Sequence, residues 1–367
     1  MITNKWQFWL GGGVSVSLLL LLLYQVDMGE LKGALRDADY FLLAPSIVIY
    51  FIAVLFRAIR WRYLLTPIGL FSVGRLYPVV VIGYMANNLL PLRLGEFVRS
   101  YYLARREDVK ATSALATIAV ERVYDGITLL AFAALAAPWL LLLGEFDGAA
   151  DVSRTTGVLF LVTSIGAFTV LLTVFTLMGS SSSFANRMES WLNIVPAGPR
   201  PKVKELFRTF VVGLTVLRSP SKHLALFLYS LPVWLLEGSM YFMLFYSFGI
   251  DEHFNSVGVL LLVALLLTAT SNLATSVPSA IGGIGPFEIV AQQTLMSLGV
   301  GASLAGAYSG FMHLVALWLP VNLAGLALLW KSNLSLREMS AASRDNSFES
   351  PQGLAGEPVR EIRGEDA

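Results

Sequence analysis

The sequence predicts an all-α integral membrane protein with about six crossings and two interrupted or re-entrant segments. Three observations predict it. Of 367 residues, 56% are hydrophobic and only 14% are charged, with a mean hydropathy of +0.67; soluble domains carry about a quarter charged residues. Several apolar runs reach the roughly 20 residues that a bilayer core demands of a helix. Two further runs meet Asn, Pro, Gly and Glu before a crossing could finish. With no long polar segment before Lys331, residues 1–331 are expected to form one membrane domain. The net charge of +1 gives no sign of a nucleic-acid partner. There is no Cys, and the three His (His223, His253 and His313) lie far apart in sequence. Neither a thiol nucleophile, nor a Cys- or His-based metal site, nor a cofactor is expected.

The apolar stretches 7–25, 41–59, 126–143, 155–178, 223–247 and 307–330 read as crossings. The first resembles a signal peptide in position, but its apolar run is long for one and no small-x-small cleavage site follows. It is taken as a retained helix. Lys and Arg gather at 57–75, including Arg57, Arg60, Arg62 and Arg75, again at 93–110, and in the loop 179–222. Acidic residues gather at 27–39, 145–151 and 251–252. The basic loops are expected in the cytoplasm, and with them both termini. Within the long loop, Val203, Leu206, Phe207, Phe210, Val211, Leu214 and Leu217 recur at helical spacing, away from Lys202, Lys204 and Arg208. That stripe fits a helix lying on an anionic bilayer surface or one packing on the membrane domain. Beyond Lys331 the composition is mixed in charge and rich in Ser, Gly and Pro, so 332–367 is expected to be a disordered cytoplasmic tail.

The apolar segment 76–92 has basic flanks on both sides, yet 17 residues cannot cross twice. It is expected to enter from the cytoplasm, break near Asn88 and Pro91, and return. Pro91 removes a backbone donor and disfavours helix at Leu90. The freed backbone groups must face protein or a watery cavity. A second interruption is "NLATSVPSAIGGIGPFE", residues 272–288. Pro91, Gly95 and Glu96 in the first are echoed by Pro278, Gly282, Gly283, Gly285 and Glu288 in the second. Paired interruptions of this kind point to a transporter site within an inverted repeat; the plainer reading is that glycines permit close helix packing.

The charges follow a pattern too. Arg93, Glu96 and Arg99 step by three and would form a cation–anion–cation strip at the cytoplasmic mouth. Glu121 and Asp125 share a helix face, and Arg122 reaches Asp125 at i,i+3. Three charges entering an apolar helix need partners, water, or an interfacial position. Glu237 lies midway along a 25-residue apolar span with no cation within a helical turn. It is either a proton carrier or a protonated structural group. His313 and Asn322 read as packing polars. No G-x-x-x-x-G-K-[ST] sequence, Gly-rich dinucleotide turn, G-x-S-x-G or H-E-x-x-H is present, so nothing suggests ATP-driven transport or a hydrolase.

"NNLLPLRLGEFVRSYYL", "ATIAVERVYDGITLL" and "VPSAIGGIGPFE" resemble, in combination, the membrane domain of the lysylphosphatidylglycerol synthetase/flippase family. Its N-x-x-P-x-R-x-G-E-x-x-R stretch falls on Asn88, Pro91, Arg93, Gly95, Glu96 and Arg99. Its E-R-x-x-D helix start falls on Glu121, Arg122 and Asp125, and its P-x-x-x-G-G-x-G-x-x-E segment on Pro278, Gly282, Gly283, Gly285 and Glu288. The resemblance covers residues 5 to 330. It implies a domain that moves a charged lipid between leaflets of a prokaryotic cytoplasmic membrane, here without the synthetase domain of bifunctional members. A membrane phospholipid or glycolipid is the expected partner, and no chemistry is expected of the chain. Arg93, Arg99 and Arg122 are candidates to hold phosphate; Glu96, Glu121, Glu237 and Glu288 are candidates to meet a cation or carry a proton. The rival class is an integral membrane enzyme that transfers a group to or from a lipid carrier. A third reading is an ion-coupled carrier of a small solute.

Overall fold

The computed structural model describes residues 5–90, 94–107, 109–146, 166, 169–170, 172–196, 198–276 and 282–331. These residues form helices and no strands. In chain order the helices are α1 (Lys5–Tyr24), α2 (Met28–Asp37), α3 (Leu43–Leu64), α4 (Val73–Leu89), α5 (Gly95–Glu107), α6 (Ala111–Leu142), α7 (Ser182–Trp191), α8 (Arg200–Leu214), α9 (Pro220–Ser247), α10 (Val257–Ala274), α11 (Pro286–Met296), α12 (Ala302–Phe311) and α13 (Leu319–Lys331). A π-helical segment, Met312–Trp318, joins the last two into one rod. Among the described residues, five helical stretches are long and apolar enough to cross a membrane: Tyr40–Leu64, Ala111–Leu142, Ser221–Ser247, Val257–Ala274 and Ala302–Lys331. Their outer faces expose Val48, Leu135, Trp139, Leu228, Leu261 and Leu323, a surface suited to lipid rather than water.

Two of the expected crossings shift. The run at 7–25 is a helix, α1. The run at 41–59 continues as helix to Leu64, so Arg57, Arg60 and Arg62 sit within α3 and not in a cytoplasmic loop. The run at 126–143 starts a full four turns earlier, at Ala111, which brings Glu121, Arg122 and Asp125 well inside α6. Of 155–178, the described positions 166, 169–170 and 172–178 are helical. Pro91, Arg93 and Pro278 lie outside the described residues, as does the expected tail 332–367.

α3 and α9 run antiparallel. Arg57 meets Glu237, Arg60 meets Ser230, and Asp39 and Ser247 exchange two hydrogen bonds at the far end. α6 leaves from the end at which α3 finishes and packs against α3, α9 and α10. A single core joins them, with Val54, Trp61, Ile118, Leu129, Phe245 and Leu267 buried in it.

Both interrupted segments are antiparallel hairpins. In the first, α4 and α5 pack together from Arg75–Glu107 at the open end (3.2 Å) to Asn87–Gly95 at the tip (2.8 Å). Leu90 is extended (φ −99°, ψ 141°), as the residue before a proline prefers. Gly95 permits the closeness: a Cβ there would stand 2.1 Å from the Gly83 carbonyl oxygen. In the second, α10 returns as α11, with Thr270 and Thr294 3.0 Å apart. Gly282, Gly283 and Gly285 make the turn at φ 59°, 79° and 98°, conformations that L side chains rarely adopt. Connectivity fixes their sense. α4/α5 opens toward the end at which α3 finishes; α10/α11 opens toward the opposite end, where α9 finishes and α12 begins. The tips meet inside, where a Cβ on Gly282 would lie 3.2 Å from the Asn88 carbonyl. α13 braces the first hairpin through Asn322 and Asn88 (3.2 Å).

The apolar stripe at 201–218 resolves in favour of packing on the protein. α8 lies against α6, with Thr209, Gly213 and Leu214 buried and the Ser113 hydroxyl donating to the Thr209 carbonyl at 2.9 Å. α7 is clipped to α8 by the paired Arg208–Glu189 hydrogen bonds, both 2.8 Å. Those bonds hold the Glu189 carboxyl below its ordinary range.

Candidate functional site

Where the two hairpins meet α3, α6 and α9 there is a cavity of about 600 Å³. Its wall is mixed: Tyr50, Phe97, Leu129 and Trp234 supply apolar surface, while Arg57, Glu96, Arg122, Asp125, Glu237 and His313 supply charge or a titratable ring. Asn87, Asn88, Gly282 and Gly283 bring both hairpin tips to it. Glu96 and Arg122 keep 29% of their side-chain surface exposed, whereas Arg57 and Glu237 keep 5%.

The charges form a lattice spanning four helices. Arg60 of α3 reaches Asp125 at 2.6 Å and Glu121 at 3.2 Å, so the i,i+4 pair of α6 converges on one guanidinium. Arg99 of α5 grips Glu121 with two parallel bonds, 3.0 and 2.8 Å, and its plane covers the Trp61 ring at 3.8 Å. Such bidentate, stacked geometry is specific to arginine. Arg122 joins Glu121 at 2.8 Å and Asp125 at 3.0 Å, and approaches Glu96 at 3.8 Å. The Trp234 indole donates to Asp125 at 2.9 Å. Arg57 meets Glu237 at 2.5 Å, donates to the Tyr84 hydroxyl at 3.0 Å and lies 4.6 Å from the centre of the Trp234 ring. Four guanidiniums face four carboxylates among the described residues. Burying ions costs several kcal/mol each unless they are paired and hydrogen-bonded, and here pairing is mutual.

The second hairpin contributes a separate pair. Glu288, almost fully buried, accepts the Gly285 N–H at 2.7 Å and sits 2.6 Å from His313 Nδ1. The His313 ring stacks on Phe287, centroids 4.2 Å apart. Trp318, on the same π-helical segment, also lines the cavity, and its buried indole N–H has no hydrogen-bond partner among the described residues.

Glu96, Arg99, Glu121, Arg122, Asp125 and Glu237 are thus gathered in one lattice, with Asn88, Gly95, Gly282 and Gly283 at the tips and Gly285 and Glu288 just behind. Three expectations need correction. The strip through Glu96 and Arg99 does not pair along its own helix; both side chains turn to α6, whose acidic and basic groups are closer than each other's. Arg99 is held by Glu121 and stacked on Trp61, and it is not among the residues that line this cavity. Glu237 does have a cation, supplied by α3 from 180 residues away. Arg57, Arg60, Tyr84 and His313 are the members that sequence reasoning missed. For the two arginines a signal existed: an i,i+3 pair of cations at the end of an apolar run, on a helix that faces the acidic i,i+4 pair of α6.

The pattern of the family described as "Lysylphosphatidylglycerol synthase TM region" matches residues 8–324. Glycosyltransferase AglD of Haloferax volcanii is 28% identical over 367 aligned residues, covering 91% of this chain but 56% of that longer protein. A UPF0104 membrane protein of Methanothermobacter thermautotrophicus is 24% identical across 87% of this chain and 92% of its own length. Another, of Pyrococcus horikoshii, is 25% identical across 86% and 95%. No solved structure matches the chain. With a match that spans nearly all of the helical bundle and includes both broken hairpins and the charge lattice between them, the chain belongs to the lysylphosphatidylglycerol synthase transmembrane-region family.

Proposed function

We propose that the chain moves a polar or charged lipid headgroup between the leaflets of a prokaryotic cytoplasmic membrane, with both termini in the cytoplasm and without chemical change to the lipid. One observation carries the reading: a charge-lined cavity of about 600 Å³ between two hairpins that enter the bundle from opposite ends. A headgroup crossing a bilayer unaided meets a cost of several kcal/mol or more per charge. A polar enclosure lowers that cost while acyl chains remain in lipid. Arg57 and Arg122 both face the cavity and share the Tyr84 hydroxyl, so they are the groups to meet a phosphate. Glu96, the carboxylate with the longest ion pair, is the group to meet a cationic substituent.

A second reading has one observation in its favour, the name of the AglD relative. It makes this chain an integral membrane enzyme transferring a group to or from a lipid carrier, with Glu96, Asp125 or Glu288 as base. Purified protein in vesicles separates the two. Labelled phospholipids and glycolipids are followed for leaflet accessibility and, in parallel, weighed by mass spectrometry. Changed location at unchanged mass supports a carrier. A changed mass supports the transferase and overturns our reading.

A further inference from the structure

Glu288 and His313 stand apart from the arginine–carboxylate lattice, yet they belong to the same cavity wall. With Glu288 ionised, its carboxylate accepts and His313 Nδ1 carries the hydrogen between them (2.6 Å). Oε2 of Glu288 is occupied by the Gly285 N–H. His313 Nε2 has no hydrogen-bond partner among the described residues, and the ring lines the cavity. Nε2 is therefore the position at which a proton can arrive and leave. Loading it turns a neutral ring beside a carboxylate into an imidazolium–carboxylate pair, and unloading reverses this. Histidine is the side chain whose charge changes nearest physiological pH.

The other ionisable groups of the wall are differently placed. α3, α5, α6 and α9 present Arg57, Glu96, Arg122, Asp125 and Glu237, and α4 presents Tyr84; none contacts His313 among the described residues. Each of those carboxylates has a guanidinium within 4 Å. Glu237 in particular is held by Arg57 and is poorly placed to exchange a proton.

Position adds the second half of the argument. Glu288 fixes the first turn of α11 through Gly285, and the site of a Cβ on Gly283 is 4.0 Å from His313 Cε1. One residue earlier, a Cβ on Gly282 would stand 3.2 Å from the Asn88 carbonyl oxygen of the opposite hairpin. A change of charge at the pair falls directly beneath the contact between the two hairpins. We infer that Glu288 and His313 form the binding site of a coupling proton, loaded from the cavity through His313 Nε2, and that its occupancy biases the contact between the hairpin tips. The inference rests on the reading of the chain as a lipid carrier.

The test uses the full chain in lipid nanodiscs, labelled with 15N-histidine. Only three histidines are present, so H223Q and H253Q assign the spectrum. The His313 signal should respond to pH, and that response should differ in Glu288→Gln. In vesicles, a pH gradient should change the rate at which wild-type protein moves lipid, and H313Q should lose that dependence. A His313 signal that stays in one protonation state, or that titrates identically in Glu288→Gln, overturns the inference. So does an H313Q protein that keeps the gradient dependence. If H313Q moves no lipid under either condition, the titration alone decides. If the wild type moves no lipid, the carrier reading fails, and the proton site is still judged by its titration.

Discussion

Replacing Arg57 with Met should destabilise the protein more than replacing its partner Glu237 with Gln, although the two share one 2.5 Å contact. The asymmetry comes from what each leaves behind. Without Arg57, the buried Glu237 carboxylate retains, among the described residues, only the Tyr241 hydroxyl at 3.3 Å. An uncompensated buried charge costs about 3–5 kcal/mol. Without the Glu237 charge, Arg57 still donates to Tyr84 at 3.0 Å, lies 4.6 Å from the centre of the Trp234 ring and borders the cavity. The loss should then approach that of one hydrogen bond to a charged group, about 1.5–3 kcal/mol. Arg57→Met combined with Glu237→Gln removes both charges and should cost less than the sum of the two single changes by about 1–3 kcal/mol. Equilibrium unfolding in mixed micelles, followed by tryptophan fluorescence, gives all the values. Additivity within about 0.5 kcal/mol, or equal costs for the two single changes, would refute the reasoning. Because the carboxylate is held by a guanidinium, Glu237→Gln should also leave the pH dependence of lipid movement unaltered.

Four further outcomes can be checked. Gly95→Ala places a methyl group against the backbone of Gly83 and Asn87, which cannot swing aside, so the α4/α5 hairpin should open at a cost of at least about 1–3 kcal/mol; a wild-type melting temperature would contradict this. Arg99→Lys forfeits one of two bonds to Glu121 and the stack on Trp61, and should lower stability by about 1.5–3 kcal/mol despite keeping the charge. Single cysteines at Ser72 and Ala104, beside the joined open ends of the first hairpin, should label from the same side of the membrane; labelling from opposite sides would rule out a re-entrant hairpin. Glu189 is held below its ordinary range by Arg208, so the contact between α7 and α8 contributes stability above the unfolded carboxylate value, about 4.3, and loses it as pH falls through the folded one. Hydrogen exchange in α7 should accelerate on that acidification, and unchanged protection would count against the clip.

The breaks in the fold were legible because proline and glycine act locally. Pro91 and the Gly282–Gly285 cluster announce interruptions whatever surrounds them, and the helices flanking each of them, α4 with α5 and α10 with α11, pack as antiparallel pairs. The participation of Glu121, Arg122 and Asp125 was legible because charge inside an apolar helix demands compensation. What compensates them was not. Arg57 and Arg60 look like the basic edge of a crossing, since positive-inside counting treats arginine near a helix end as a marker of the interface. Only the extension of α3 to Leu64, and its packing against α6 and α9, draws them inward. Glu237 seemed solitary because its partner lies 180 residues earlier. His313 carried no local pattern at all; its contact with Glu288 follows from the return of α11 beside the last helix.

The π-helical segment Met312–Trp318 has a consequence for the register of the last rod. A π turn accommodates one residue more than an α turn, and each residue of an α-helix advances the azimuth by about 100°. Here His313 is aimed at Glu288, while Asn322 and Gly325 are aimed at the first hairpin. Deleting a single residue between Leu314 and Leu317 would let the rod relax to uniform α geometry. The two ends would then be rotated relative to each other by about one residue's worth of turn, and the rod could satisfy one hairpin or the other, but not both.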